Sequence, residues 1–207
     1  MLHTASGSGE AVAVEVRRAA EADVGALSGS LASAFAGYPL TEWVVRRDTG
    51  RDVARRLYFE TFLRRGLARG EVFCDDARQA AAIWFPSGGW GSGAGTVVSH
   101  LPALVRIIGW RPLPSRLAQL RRLADHHPPE PHWYLEVLGT RPAAQGAGLG
   151  SALVEAGIAR AREAQVGAFL MTSNREVIPF YRRFGFGLRD ELGIPNGPTV
   201  WSLWLAS

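Results

Sequence analysis

The sequence predicts a single layered α+β domain, with helices stacked against a central sheet. Strand-like alternation and helix-like spacing interleave along the whole chain, as a layered domain requires. The 207 residues suit one compact domain and can bury a sizeable core. With 47% apolar and 20% charged residues, the composition is that of a folded globule rather than a disordered chain. The domain is expected over 11–207, behind a small polar tail at 1–10 expected to be disordered.

The elements follow in order. Val12, Val14 and Val16 alternate as one face of a first strand. Glu21 to Phe35 reads as a helix, with Val24, Leu27, Leu31 and Phe35 at helical spacing, stopped by Gly37-Tyr38-Pro39. A second helix at 51–68 places Val53, Leu57, Phe62 and Leu67 on an apolar stripe, with arginines opposite. Strands are expected at 71–75 and 79–85 around the turn Asp75–Arg78, then a glycine-rich loop at 87–95, then helices at 96–109 and 113–125. The prolines of 126–131 make a stiff connector into a central strand, His132 to Thr140. The loop Gln145–Gly150, a helix from Gly148 to Gln165, a short buried strand at 169–171 and a helix at Arg175–Phe184 come next. Strands at 185–191 and 199–205 complete the sheet.

Composition excludes several functions. The longest apolar run, Ala80 to Phe85, is far below the ~20 residues a membrane span needs. No basic start followed by an apolar segment opens the chain, so a cytoplasmic protein that binds no membrane is expected. Cys74 stands alone, which excludes an internal disulfide and a cysteine-built zinc site. All 23 basic residues are arginine, so no phosphate-binding or Schiff-base lysine is available. The net charge of +4 permits an anionic ligand, but arginine pairs recur throughout the chain and predict no nucleic-acid surface. His126, His127 and His132 sit in a proline-rich stretch unsuited to fixed metal geometry, and no metal is expected. His100 and Cys74 read as packing residues, and the aromatic-rich first half (Trp43, Tyr58, Phe62, Trp84, Trp90, Trp110) reads mainly as core.

The informative segment is strand, then Gln145-Gly146-Ala147-Gly148-Leu149-Gly150-Ser151, then helix. Alternate glycines let backbone approach a ligand without Cβ obstruction, and a helix start presents N–H groups to an anion. The sixth position of a dinucleotide loop would be glycine and is Ser151; a P-loop needs lysine; no G-x-S-x-G elbow is present. Within the strand, alternation puts Tyr134, Glu136 and Leu138 on one face and Leu135 and Val137 on the other. A carboxylate inside WYLEVL needs a reason, since an unpaired buried charge is costly. Glu136 is open to three readings: an acceptor for an amine's proton, a hold for a cationic acceptor, or a salt bridge with an arginine.

The pattern Gln145-x-x-Gly148-x-Gly150, after Leu138-Gly139-Thr140-Arg141-Pro142 and before Asn174 and Tyr181-Arg182-Arg183-Phe184-Gly185-Phe186, resembles the acetyl-CoA motif of GNAT N-acetyltransferases. EPHWYLEVLGTRPAAQGAGLGSALVEAG and AFLMTSNREVIPFYRRFGF are similar to puromycin N-acetyltransferase and its relatives, as is the upstream LASAFAGYP; the puromycin-type pattern has a small residue where Glu136 stands. The resemblance implies a mixed, mostly antiparallel sheet splayed open at the acetyl-CoA site. It implies that Leu138, Gly139, Thr140, Gln145, Gly146, Ala147, Gly148, Leu149, Gly150, Ser151, Asn174 and Tyr181 bind acetyl-CoA, the acyl donor. Leu138 would offer its N–H to the thioester oxygen, and Tyr181 would be the acid for the departing thiolate; Glu136, read from the strand pattern and not from the resemblance, is the second catalytic candidate. The acceptor it implies is the amine of a small molecule, such as an antibiotic, taken up by a monomer or homodimer. A protein or peptide N-terminus, a polyamine, and a non-catalytic acyl-CoA sensor are the alternatives.

Overall fold

The computed structural model describes residues 14–90 and 101–207. The expected tail at 1–10, Val12, the 91–95 part of the glycine-rich loop, the helix start at 96–100 and His100 lie outside the described residues.

Seven strands form one sheet: β1 (Val16–Arg18), β2 (Glu71–Asp75), β3 (Ala80–Phe85), β4 (His132–Thr140), β5 (Gly167–Thr172), β6 (Gly187–Gly193) and β7 (Thr199–Leu205). Their order is β1-β2-β3-β4-β5-β7-β6, and every neighbouring pair is antiparallel except β4 with β5. The helices are α1 (Val24–Ala34), α2 (Pro39–Val44), α3 (Arg51–Arg69), α4 (Leu101–Ile108), α5 (Leu113–Ala124), α6 (Leu149–Glu163) and α7 (Ile178–Arg182). This is the layered α+β domain the sequence predicts, with the mixed sheet that the family resemblance implies.

Both sheet faces are covered, so the central strands are buried on both sides. On one face, α6 and α7 pack Leu153, Val154, Ile158 and Tyr181 against Ala82, Trp84, Leu135 and Leu170. On the other, α1 and α3 pack Leu27, Leu31, Phe59 and Leu63 against Cys74, Ile83, Phe85 and Val137. A third cluster joins Trp43 of α2, Ile107 and Ile108 of α4 and Leu113 of α5 to Ile194 and Val200. Glycine permits two close approaches. A Cβ on Gly157 of α6 would fall 1.9 Å from Cε2 of Trp84, and one on Gly66 of α3 would fall 2.7 Å from Cγ2 of Ile83.

Four sequence expectations are corrected. The first strand is short, Val16–Arg18, leaving Val14 outside it. Pro39 does not only end a helix: it opens the unexpected α2 at a helical N1 position, where a missing N–H costs nothing. In α3 the buried stripe is Ala54, Phe59, Leu63 and Gly66, and Val53 is 68% exposed. The predicted stripe was misplaced because α3 meets α1, α4 and the sheet at once, so burial spans several faces and takes in Arg65.

The fourth correction bears on the site. In the β3–β4 ladder Ile83 faces Val137 and Trp84 faces Leu135, so Glu136 is the extra residue of a bulge. The bulge shifts the alternation by one. Tyr134 and Val137 pack with the α1–α3 cluster, Glu136 meets Arg65 of α3, and Leu135 and Leu138 pack with the α6 cluster. Glu136 and Leu138 therefore lie on opposite faces, against the alternation read from the sequence.

Candidate active site

β4 pairs with β5 only from His132 to Leu135, and its second half is bonded to β3 alone. Beyond Leu135 the two central strands part: Met171 and Thr172 of β5 keep their pairing to β7 on the far edge but have no partner on β4. A sheet interior thus presents an open edge. The N–H of Arg141 is donated to the carbonyl of Gln79 beside β3 (2.8 Å). Since successive N–H groups of a strand point to opposite sides, that of Gly139 shares the β3 side and those of Leu138 and Thr140 face the cleft.

At the end of this edge lies the glycine loop. Gly146 and Gly148 have φ of +85° and +83°, the left-handed region that glycine enters without strain. Gly148 is the N-cap of the 15-residue helix α6, which has no side-chain cap and no acidic residue in its first turn. The first N–H groups of α6, from Leu149, Gly150 and Ser151, have no intrahelical carbonyl to reach, and the helix dipole adds positive potential there. A Cβ on Gly150 would make only ordinary contacts, with Phe180 at 3.6 Å. Gln145 donates its amide to the Thr140 carbonyl (3.2 Å), tying the loop back to the end of β4, and Ala147 is exposed between the two left-handed glycines.

Asn174 caps the 3-10 turn Arg175–Val177 by accepting from the Glu176 N–H (3.0 Å). That turn launches α7, which carries Tyr181 into the core beside Phe180 and Phe186. Burial pushes the Tyr181 phenol above its usual range, so it stays protonated at every physiological pH. Glu136 is held by the Arg65 guanidinium, while burial favours its protonated form and Arg65 opposes that. Its second oxygen, Oε2, is buried and has no hydrogen-bond partner among the described residues.

Tyr38, Thr172 and Ser173 went unremarked in the sequence. The Tyr38 hydroxyl lies 2.8 Å from Oγ1 of Thr172 and accepts from the Ser173 N–H (2.9 Å), while Ser173 Oγ accepts from Leu40 N–H (2.9 Å). The junction of α1 and α2 is thereby docked on the outer end of β5, at the mouth of the cleft. The Gly37-Tyr38-Pro39 signal was the one available clue, and it showed a helix end rather than a contact. His127 and His132 form a stack with Trp90 at the closed end of the sheet, with ring centroids 4.6 and 4.5 Å from the indole. Among the described residues no three His, Cys, Asp or Glu side chains are grouped to hold a metal.

The acetyltransferase (GNAT) family model matches residues 104–186, which run from α4 through the open edge, the glycine loop and Tyr181. Over that stretch the chain is similar to GNAT acetyltransferases, and its fold is GNAT-like. A Corynebacterium glutamicum structure described as histone acetyltransferase HPA2 and related acetyltransferase is 25% identical to it, with a TM-score of 0.71 over 92% of this chain and 94% of that one. The polyamine N-acetyltransferase of Drosophila melanogaster is 17% identical, with a TM-score of 0.56 over 93% of this chain and 99% of that one. Arylalkylamine N-acetyltransferase 2 of Aedes aegypti is 11% identical, with a TM-score of 0.59 over 93% and 98%. The last two show a shared fold alone. No described helix is long and apolar enough to cross a membrane.

Proposed function

We propose that this acetyltransferase moves the acetyl group of acetyl-CoA to the amine of a small molecule by direct attack. The observation that carries the reading is the open edge of β4 running into the uncapped N-terminus of α6. The pyrophosphate lies on the N–H groups of 145–151, and the pantetheine arm lies along 138–140 like an added strand. The amine nitrogen attacks the thioester carbon, and the Leu138 N–H donates a hydrogen bond to the thioester oxygen, where negative charge develops. As the C–S bond breaks, the Tyr181 hydroxyl protonates the leaving sulfur. The amine's surplus proton passes, directly or through water, to Glu136, whose carboxylate meets Arg65 of α3.

The domain spans 11–207 in this reading and works in the cytoplasm. An antibiotic-like amine remains the finer proposal, supported by the similarity of 132–186 to puromycin-type enzymes. Glu136 stands where the puromycin-type pattern has a small residue, a departure that weighs against a puromycin-like acceptor. The test couples binding to turnover. Calorimetry with acetyl-CoA should show strong binding to wild type and severe loss in Gly148→Asp, which adds bulk and negative charge at the phosphate N–H groups. Thiol release over a panel of aryl amines, aminoacyl nucleosides, polyamines and peptide N-termini then names the acceptor. Equal affinity in both proteins sinks the phosphate assignment, and binding without thiol release from any amine supports a sensor instead.

A further inference from the structure

Arg65 lies on a helix whose other arginines mostly face solvent, yet it is turned into the core against β4. Gly66 beside it explains how: without a Cβ, α3 settles directly on Ile83 and Val72 of the β2–β3 pair. The guanidinium carbon then sits 5.0 Å from the Phe62 ring centroid and 5.1 Å from that of Phe85, between two aromatic rings. Phe62 is one helical turn behind Arg65 on the same face of α3, so the clamp is built largely from the helix itself.

The clamped guanidinium makes a single hydrogen bond to Glu136, from Nη2 to Oε1, rather than a two-pronged one. Nε of Arg65 and Oε2 of Glu136 are both buried without partners among the described residues. A pair arranged only for stability would close that second contact, because each unmade bond to a buried polar atom costs about 1–3 kcal/mol. The bulge at Glu136 turns the carboxylate to this face, and the bulge and the clamp together leave one oxygen held and one free.

We infer that Arg65 is a positioning residue for the reaction: it holds one oxygen of Glu136 and leaves the other, buried and unpartnered among the described residues, as the atom that takes the acceptor's proton. The inference rests on the proton-accepting role proposed for Glu136 above. The groups facing the carboxylate are Arg65 and Tyr58 of α3 and Tyr134 of β4, and Tyr38 of the α1–α2 junction acts in turn on the two phenols. Burial holds the phenols of Tyr58 and Tyr134 above their usual range, so both are neutral and Arg65 is the one cation in the set. Removing it leaves the burial of Glu136 uncompensated, and the carboxyl must then titrate at higher pH.

The experiment uses the full chain and an aryl amine acceptor that is neutral above pH 5, so that an acidic limb of kcat/KM belongs to the enzyme. The same proteins, carrying carboxyl-13C glutamate, are titrated by NMR, with the Glu136 signal assigned by its absence in Glu136→Gln. In Arg65→Gln both the Glu136 midpoint and the acidic limb should move upward together by about one pH unit or more, with kcat recovering above the new limb. Arg65→Lys restores a cation and should return both toward wild type, which a purely structural loss would not do. If Glu136→Gln abolishes the limb but Arg65→Gln moves neither limb nor midpoint, the role of Arg65 is overturned. If Glu136→Gln leaves the limb in place, the failure lies with Glu136 as proton acceptor, and the positioning role falls with it.

Discussion

Tyr181 shows how a single side chain's environment sets its chemistry. Packed between Phe180 and Phe186, its phenol is held in the protonated form, which is the form a leaving thiolate needs. Tyr181→Phe keeps the ring and the packing and removes the proton. Turnover should fall by roughly 10²–10⁴-fold, with acetyl-CoA affinity by calorimetry nearly unchanged. Unaltered turnover would hand the protonation to solvent. Tyr181 was legible in the sequence because it stands in a motif at fixed spacing. Arg65 was not, because one arginine among many on a helix announces nothing until the helix is docked. Glu136 lies between these cases: its oddness within WYLEVL was visible, but its partner was not.

At the scale of elements, helix-to-sheet contact is made through glycine. Gly157 gives α6 the room to lie on the Trp84 ring, and that helix carries the glycine loop at its N-terminus. Gly157→Ala puts a methyl group where the indole sits, so either α6 or Trp84 must shift. Destabilisation of about 1–3 kcal/mol is expected from overpacking, read as a lower denaturation midpoint. Acetyl-CoA binding should weaken as well, because the phosphate-facing end of α6 moves with its body; a stability loss with wild-type affinity would show that the loop keeps its own shape. The docking of α2 on β5 makes a second prediction. Tyr38→Phe removes the hydroxyl that accepts from Ser173 and meets Thr172, leaving a buried N–H unpaired. A loss of about 1–3 kcal/mol is expected, read again as a lower denaturation midpoint, and an unchanged midpoint would show that the contact contributes nothing.

For the whole molecule, buried titratable groups set the response to acid. Burial lowers His127 to about 3 and lowers His132 as well, so burial favours the neutral form of each in the folded state. An unfolded histidine takes up a proton near pH 6.5. The folded state then binds fewer protons than the unfolded one, and stability, complete above about pH 6.5, is lost as pH falls below it. Asp23 adds to this at lower pH. Hydrogen bonds from Arg17, the Ala20 N–H and Arg78 hold its carboxyl well below the usual range, so its contribution is present above about pH 4 and declines beneath. Glu136, raised by burial, acts in the opposite sense and softens the decline near its own titration. Melting temperature should therefore be level above about pH 7 and drop in two stages. His127→Phe keeps the ring stacked on Trp90 and should flatten the first stage; a curve parallel to wild type would remove the histidine stack from the account.

The sequence by itself determined most element types (α2 excepted), the α+β layering, the glycine loop before a long helix and the tyrosine that follows it. Those properties depend on local spacing: three to four residues per helical turn, two per strand repeat, and glycine where backbone must turn left-handed. Only the tertiary structure decided which face Glu136 takes, which arginine meets it, where α2 docks and where β4 leaves β5. A bulge arises from the pairing of two strands distant in sequence, and α3 turns Arg65 inward only because Gly66 lets it rest on β2 and β3. Local periodicity continues straight through a bulge. The face of a residue beyond it is set by the register of the neighbouring strand, which no window of sequence around Glu136 contains.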